Sequence, residues 1–174
     1  MNNKRVLYID FDEVILATED TLFKEYISMK EKGIPVNKQK YLEDYNWLFL
    51  VFNSEIIADS IEIIRTLPEA KVLTKVHSLK EASAKIKFLR SKGLINETII
   101  VPCNHQKIDL VPAKDNILVD DAVHNLDAWQ SAGGISYYFN KNNEDIDNWG
   151  MKNTKYPKIK SLSIFKNNPQ IYKK

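Results

Sequence analysis

Apolar positions along the chain fall into two rhythms. Short runs of apolar residues occur at 6–9, 72–73, 98–101, 117–119 and 135–139. Runs this brief, bounded by polar or turn residues, read as strands buried on both faces of a parallel sheet. Elsewhere the apolar residues return every three to four positions. Leu22, Phe23, Tyr26, Ile27 and Met29 predict a helix over about 20–32, which Gly33 and Pro35 stop. Residues 38–66 are again mostly helical in pattern and hold a dense aromatic stretch, with Pro68 closing the region. Ser78 and Glu81 form a capping box, in which each is expected to satisfy an orphan amide of the helix start. That helix carries Ala82, Ile86 and Leu89 inward and ends at Gly93, and a shorter helix near 126–131 leads to Gly133-Gly134.

Strands alternating with helices imply an α/β chain, its parallel sheet joined by right-handed crossovers. Residues 16–68 interrupt the rhythm with helices alone. They read as a helical cap inserted after the first strand, with 1–15 and 69–174 forming the core.

Three of the apolar runs end in polar residues suited to phosphate chemistry. The first ends in Asp10 with Asp12 nearby, the second in Thr74, and the fourth in Asp120 and Asp121. In an open parallel sheet the carboxyl ends of the strands share one edge, and ligands bind there. Residues remote in sequence are therefore expected to meet. A single aspartate after a strand is an ordinary helix N-cap; the convergence of all three strand ends is what points to a site. Two carboxylates about 4 Å apart repel by roughly 4 kcal/mol at an effective dielectric near 20. A hard divalent cation removes that cost, and all-oxygen ligation favours Mg2+ over zinc.

These motifs resemble those of the haloacid dehalogenase superfamily. Asp10-Phe11-Asp12-Glu13-Val14-Ile15 is similar to its first motif, Thr74 after Val72-Leu73 to its second, and Asp120-Asp121 with Asn125 to its acidic fourth. At Glu13 many members have glycine. For the loosest motif, a lysine, Lys107 fits best, with Lys114 next and Lys85 or Lys87 behind. The resemblance spans 5–140. It implies a Rossmann-like sheet of strand order 5-4-1-2-3, and a hydrolase acting on phosphoric monoesters through an aspartyl-phosphate. Asp10 would be the nucleophile, and Asp12 would protonate the leaving oxygen and then deprotonate water. Mg2+ would be held by the Asp10 carboxylate, the Asp12 main-chain carbonyl and Asp121, with Asp120 and Asn125 behind them. Thr74 and Lys107 would bind the phosphate. The dehalogenase branch lacks the second aspartate, so Asp12 points to phosphate chemistry.

At finer grain, the segment 107–139 is similar to the 5'(3')-deoxyribonucleotidase branch. The features are a lysine upstream of Ile117-Leu118-Val119-Asp120-Asp121, then Asn125-Leu126-Asp127-Ala128-Trp129, Gly133-Gly134, and Tyr137-Tyr138-Phe139-Asn140. This implies a nucleoside monophosphate as substrate. A sugar-phosphate or a polynucleotide end is the alternative, and a binding protein that keeps the fold without turnover is the reading from another class. Among Tyr41, Tyr45, Trp47, Phe49 and Phe52 some would stack on a base, while most would form the cap's own core.

Composition narrows this picture only a little. An apolar share of 44% is enough for a packed core. No run approaches the roughly 20 apolar residues of a membrane span, and the one cysteine, Cys103, forms no pair. A cytoplasmic protein with no membrane partner is the expectation. Residues 151–174 carry seven lysines and no acid, leaving 18 basic against 23 acidic residues over 1–150. Such a tail reads as a solvated terminus, with nucleic acid the lesser possibility. Oligomeric state is not legible. Trp129 and Trp149 read as packing residues.

Overall fold

The computed structural model describes residues 4–142, 146–147, 150–153 and 155–172; Trp149, Lys173 and Lys174 lie outside these. Six parallel strands form the sheet: β1 (Leu7–Ile9), β2 (Lys71–Val76), β3 (Thr98–Pro102), β4 (Ile117–Asp120), β5 (Ile135–Phe139) and β6 (Lys158–Ile159). Their order is β3-β2-β1-β4-β5-β6. The first five follow the expected order, and the sixth, unexpected one extends the sheet beyond β5. It pairs through Tyr138 with Lys158 and Phe139 with Ile159.

Both faces of the sheet are covered, which is why its strands read as unbroken apolar runs rather than alternating ones. Alternation reappears in what each side chain meets. Leu7, Ile9, Val72, Ile117, Val119 and Phe139 point to one face and join one buried cluster. Tyr8, Leu73, Leu118 and Tyr138 point to the other, where Val123, Leu126 and Trp129 cover them. The last three lie on a helix over Val123–Ser131.

Between β1 and β2 the chain forms four helices: α1 (Glu19–Glu31), α2 (Lys38–Asp44), α3 (Trp47–Asn53) and α4 (Ser60–Arg65). Side-chain caps fix two of them, since Asn37 Oδ1 accepts from the Lys40 amide and Asn46 Oδ1 from the Phe49 amide. Their buried residues, including Leu42, Trp47, Leu50 and Val51, belong to the same cluster as Leu7 and Ile9. Four short helices enclose too little volume for a core of their own, so they complete the sheet's.

Beyond β2 come α5 (Leu79–Ser91), α6 (Lys107–Leu110), α7 (Val123–Ser131) and α8 (Ser163–Asn167). On α5, Ser78 Oγ accepts from the Glu81 amide as its sequence predicts. The Glu81 carboxylate instead accepts from the amide of His77, one residue earlier than a capping box requires. Its other oxygen pairs with Lys85. Ile86, expected inward, is only half-buried, while Lys85 is fully buried in its place. The basic tail folds onto the sheet edge through β6 and buried Phe165, with Lys152, Lys155, Lys160 and Lys166 exposed.

Gly134 marks a close approach. A Cβ there would meet the Trp129 ring at 2.3 Å and the Ala113 carbonyl oxygen at 2.9 Å. The Trp129 ring is itself fully buried, and its Nε1 donates to the Asn116 carbonyl (3.1 Å). Gly134→Ala is expected to cost about 1–3 kcal/mol, a fall in Tm of roughly 2–12 °C. A thermal melt followed by circular dichroism checks this, and an unchanged Tm would contradict the packing described.

Candidate active site

Register builds the site. Ile9 pairs with Val119, so Asp10 and Asp120 emerge side by side from adjacent central strands, and the Asp10 amide donates to the Val119 carbonyl (2.9 Å). One carboxylate oxygen from each of Asp10, Asp120 and Asp121 lies within 4.8 Å of the others. Lys107, the first residue of α6, stands between two of them. Its Nζ lies 2.8 Å from Asp10 Oδ1 and 2.6 Å from Asp120 Oδ2.

Asp120 is fully buried and its acceptor capacity is taken. Oδ1 receives the Ala122 amide (2.9 Å) and Asn125 Nδ2 (3.1 Å), while Oδ2 receives Lys107 and Asn125 Nδ2 (3.2 Å). It fixes Lys107 and Asn125. Asp121 is the more open carboxylate beside it. Burial pushes the Asp121 pKa well above the ordinary carboxylate range, and Asp120, Glu19, Asp10 and Glu13 push it further. Asp10 is raised from 3.8 to about 7, mainly by burial; Lys107 pulls the other way, while Asp120 and Asp12 add to the rise. Such crowding of hard oxygens suits a divalent cation; Asp10 and Asp121 are the carboxylates that could hold one, with Asp120 behind them occupied by Lys107, Asn125 and the Ala122 amide.

The loop after β1 supplies Asp12. Phe11, Val14, Ile15 and Leu16 are fully buried and pin it down. Glu13 adopts φ 54, the left-handed region that glycine enters without steric cost. Its carboxylate accepts from the Glu19 amide at the start of α1 (3.0 Å) and pairs with Lys141 (3.2 Å). The Asp12 side chain lines the same cavity as Asp10 and Asp121 but is held by other partners. Oδ1 accepts from the Thr18 hydroxyl (2.7 Å) and Oδ2 lies 2.5 Å from Lys85 Nζ.

Thr74 departs from expectation. Val72 pairs with Ile9, so Thr74 falls on the face of Phe11, one pleat step off that of Asp10. β2 also runs two residues past it, to Val76. Its buried hydroxyl accepts from Lys85 Nζ (3.0 Å) and donates to the Lys75 carbonyl (3.2 Å). Lys75, on the Asp10 side, lines the cavity in its stead.

That cavity, of about 210 Å³, opens over the cluster. Asp10, Asp12, Lys107, Asp121 and Asn125 form its floor; Lys75 and His77 come from the end of β2 and His124 from the start of α7; Phe23, Lys38, Leu42 and Trp47 cover it from the helical insert. Of the five aromatics singled out in sequence, only Trp47 lines it. Tyr41 and Tyr45 pack together (5.3 Å between ring centroids), and the Tyr45 hydroxyl donates to Glu25 (2.6 Å). Phe49 is exposed and Phe52 packs on Phe88. Trp47 stacks on His77, the rings parallel within 4° and 6.3 Å apart.

Glu81 was read from the sequence only as a helix cap, and Lys85 only as a distant candidate for the phosphate-binding lysine. The signal was a lysine in the middle of an apolar helical stripe, between Ala82 and Leu89, four residues after a glutamate. Burial works against the Lys85 charge, but Asp12 and Glu81 outweigh it and drive its pKa upward. Lys107 shows the same balance, with Asp10 and Asp120 as its partners.

No protein-family model matches the sequence, and none of the curated proteins does. Solved structures do match. A haloacid dehalogenase-like hydrolase from Xanthomonas campestris superposes with a TM-score of 0.62 at 11% identity, over 98% of this chain and 93% of that one. The chain has the haloacid dehalogenase fold. The HAD-hydrolase YfnB from Bacillus subtilis, whose structure is bound to magnesium, matches with a TM-score of 0.58 at 14% identity, over 97% and 99% of the two chains. A HAD phosphatase from Thermococcus onnurineus gives 0.58 at 14%, over 98% and 100%. At these identities the haloacid dehalogenase likeness is one of fold. Among the described residues, no helix is long and apolar enough to cross a membrane.

The raised Asp10 pKa has a consequence for stability without metal. Between pH 4 and 7 the folded state keeps a proton that the unfolded state releases near 3.8. The folded form then binds more protons, so stability falls as pH rises through that window. Metal-stripped protein is expected to melt lower at pH 8 than at pH 5, with a smaller difference in Asp10→Asn. Equal pH slopes in the two proteins, read by thermal melts in EDTA, would contradict the burial of Asp10.

Proposed function

We propose that the chain is a magnesium-dependent phosphomonoesterase working through an aspartyl-phosphate on Asp10. The observation that carries this reading is Lys107 bridging Asp10 and Asp120, beside the more open Asp121, under a cavity roofed by the helical insert. Asp10, Asp121 and the rim around them would hold Mg2+, which supplies charge neutralisation on the phosphoryl oxygens when bound.

The residues themselves account for the rest. Lys107 fixes the Asp10 carboxylate and places a positive charge where phosphoryl oxygens would gather. An Asp10 oxygen forms a bond to phosphorus as the ester oxygen leaves with its electron pair and takes a proton from Asp12. Water then bonds to phosphorus, its proton passes to Asp12, and the electron pair of the acyl–phosphate bond returns to Asp10. Asp12 ends as it began. Positioning and charge stabilisation carry most of phosphoryl transfer, so this set is sufficient in kind.

For the substrate we favour a nucleoside monophosphate. Trp47 and Phe23 offer an apolar wall for a base, and Lys38, Lys75 and His124 line the same cavity. The cavity volume, about 210 Å³, supports a second reading. It lies below the roughly 300–1,000 Å³ common for larger ligands, and a compact sugar phosphate suits it without movement of the helical insert.

Asp10→Asn is expected to lower kcat on 4-nitrophenyl phosphate by at least about 1,000-fold while leaving the far-ultraviolet spectrum unchanged. EDTA should do the same, reversed by Mg2+. Undiminished turnover in either case would sink the reading. A panel of nucleotides and sugar phosphates, compared by kcat/KM, separates the two substrate classes.

A further inference from the structure

We propose that Lys85 is a positioning residue that holds the Asp12 carboxylate for its two proton transfers. The inference rests on the reaction proposed above and adds a second lysine to it, distinct in place and task from Lys107.

Lys85 is fully buried on α5 and does not line the cavity, so it touches no substrate atom. Its Nζ is surrounded at short range by Asp12 Oδ2 (2.5 Å), Glu81 Oε1 (2.7 Å), Thr74 Oγ1 (3.0 Å) and the Lys75 carbonyl (3.0 Å). The rings of Phe11 and Trp47 lie 5.3 and 5.9 Å from the nitrogen and close off its remaining sides. A flexible four-carbon stem is thereby fixed by β2, α5 and the loop after β1 at once. A lysine that only balanced Glu81 would not need Asp12, which faces the cavity, as a second charged partner.

The geometry divides the work between the two Asp12 oxygens. Oδ2 is anchored from behind by an ammonium that has nowhere else to go. Among the described residues, Oδ1 is held by the Thr18 hydroxyl alone, and a hydroxyl can rotate away. Oδ1 is therefore the oxygen that gives its proton to the departing ester oxygen and later takes one from water. Glu81 extends the anchor: it accepts the His77 amide (2.7 Å), and His77 stacks on Trp47 of the helical insert. The proton-transferring carboxylate is thus tied to the element that covers the cavity.

Lys85→Gln separates positioning from a merely structural role. A 4-nitrophenolate leaving group needs little protonation, so formation of the phosphoenzyme from 4-nitrophenyl phosphate, and with it kcat/KM, should stay within about 3-fold of the wild type. Breakdown needs Asp12 as a base and should slow about 10–100-fold. Acid-quenched mass spectrometry should then find the phosphoenzyme accumulating in the variant, while an alkyl phosphate loses both steps. Formation and breakdown falling in parallel, or neither falling, would overturn the role of Lys85. Where Lys85→Gln does not fold, Lys85→Arg keeps the buried charge but shifts the donor, and the same accumulation is required of it. Wild-type protein that forms no phosphoenzyme would instead overturn the underlying reaction and leave Lys85 without a task.

Discussion

Like charges held together in a place with little water are the constraint around which this molecule is arranged. Asp10, Asp120 and Asp121 meet at the rim of two adjacent central strands, and burial there makes Asp10 and Asp121 harder to ionise than in water. Removing one partner of a buried ion pair leaves the other uncompensated, a cost of about 3–5 kcal/mol. Two buried lysines hold the arrangement. Lys107 bridges Asp10 and Asp120, and Lys85 bridges Asp12 and Glu81. Among the described residues no lysine pairs with Asp121, and that imbalance makes the rim a place for a cation.

The fold serves this rim in an economical way. Parallel pairing of β1 with β4 sets Asp10 beside Asp120 without any contribution from loops. The loop after β1 then doubles back under four fully buried side chains, which places Asp12 within reach of α5. The helical insert has no core of its own and is welded to the sheet's face through Trp47, Leu50 and Val51. Cover and floor therefore share one packed interior, and movement of one is felt by the other.

Much of this was legible in the chain. Apolar runs ending in aspartate gave the strands and their shared edge, because strand direction alone decides where those ends lie. Lys107 was singled out as a phosphate-binding lysine, and it stands between Asp10 and Asp120. What escaped depends on quantities that a single sequence does not carry. Thr74 needed the register of β2 against β1, where one residue decides the face. Lys85 ranked behind Lys107 and Lys114 as a candidate lysine, although its place in the apolar stripe between Ala82 and Leu89 set it apart. β6 is two residues long and becomes a strand only because β5 offers an open edge. Glu13 occupies a left-handed position that many proteins of the superfamily it resembles fill with glycine. The carboxylate it gains there reaches the start of α1 and Lys141, contacts that glycine could not make.

A crystal structure grown with Mg2+ and beryllium trifluoride, a mimic of an aspartyl-phosphate, tests the central claim most directly. The account predicts the trifluoride bonded to an Asp10 carboxylate oxygen, with Lys107 against its fluorines and the ion touching both Asp10 and Asp121. Trifluoride attached elsewhere, or an ion that leaves Asp121 untouched, would contradict it.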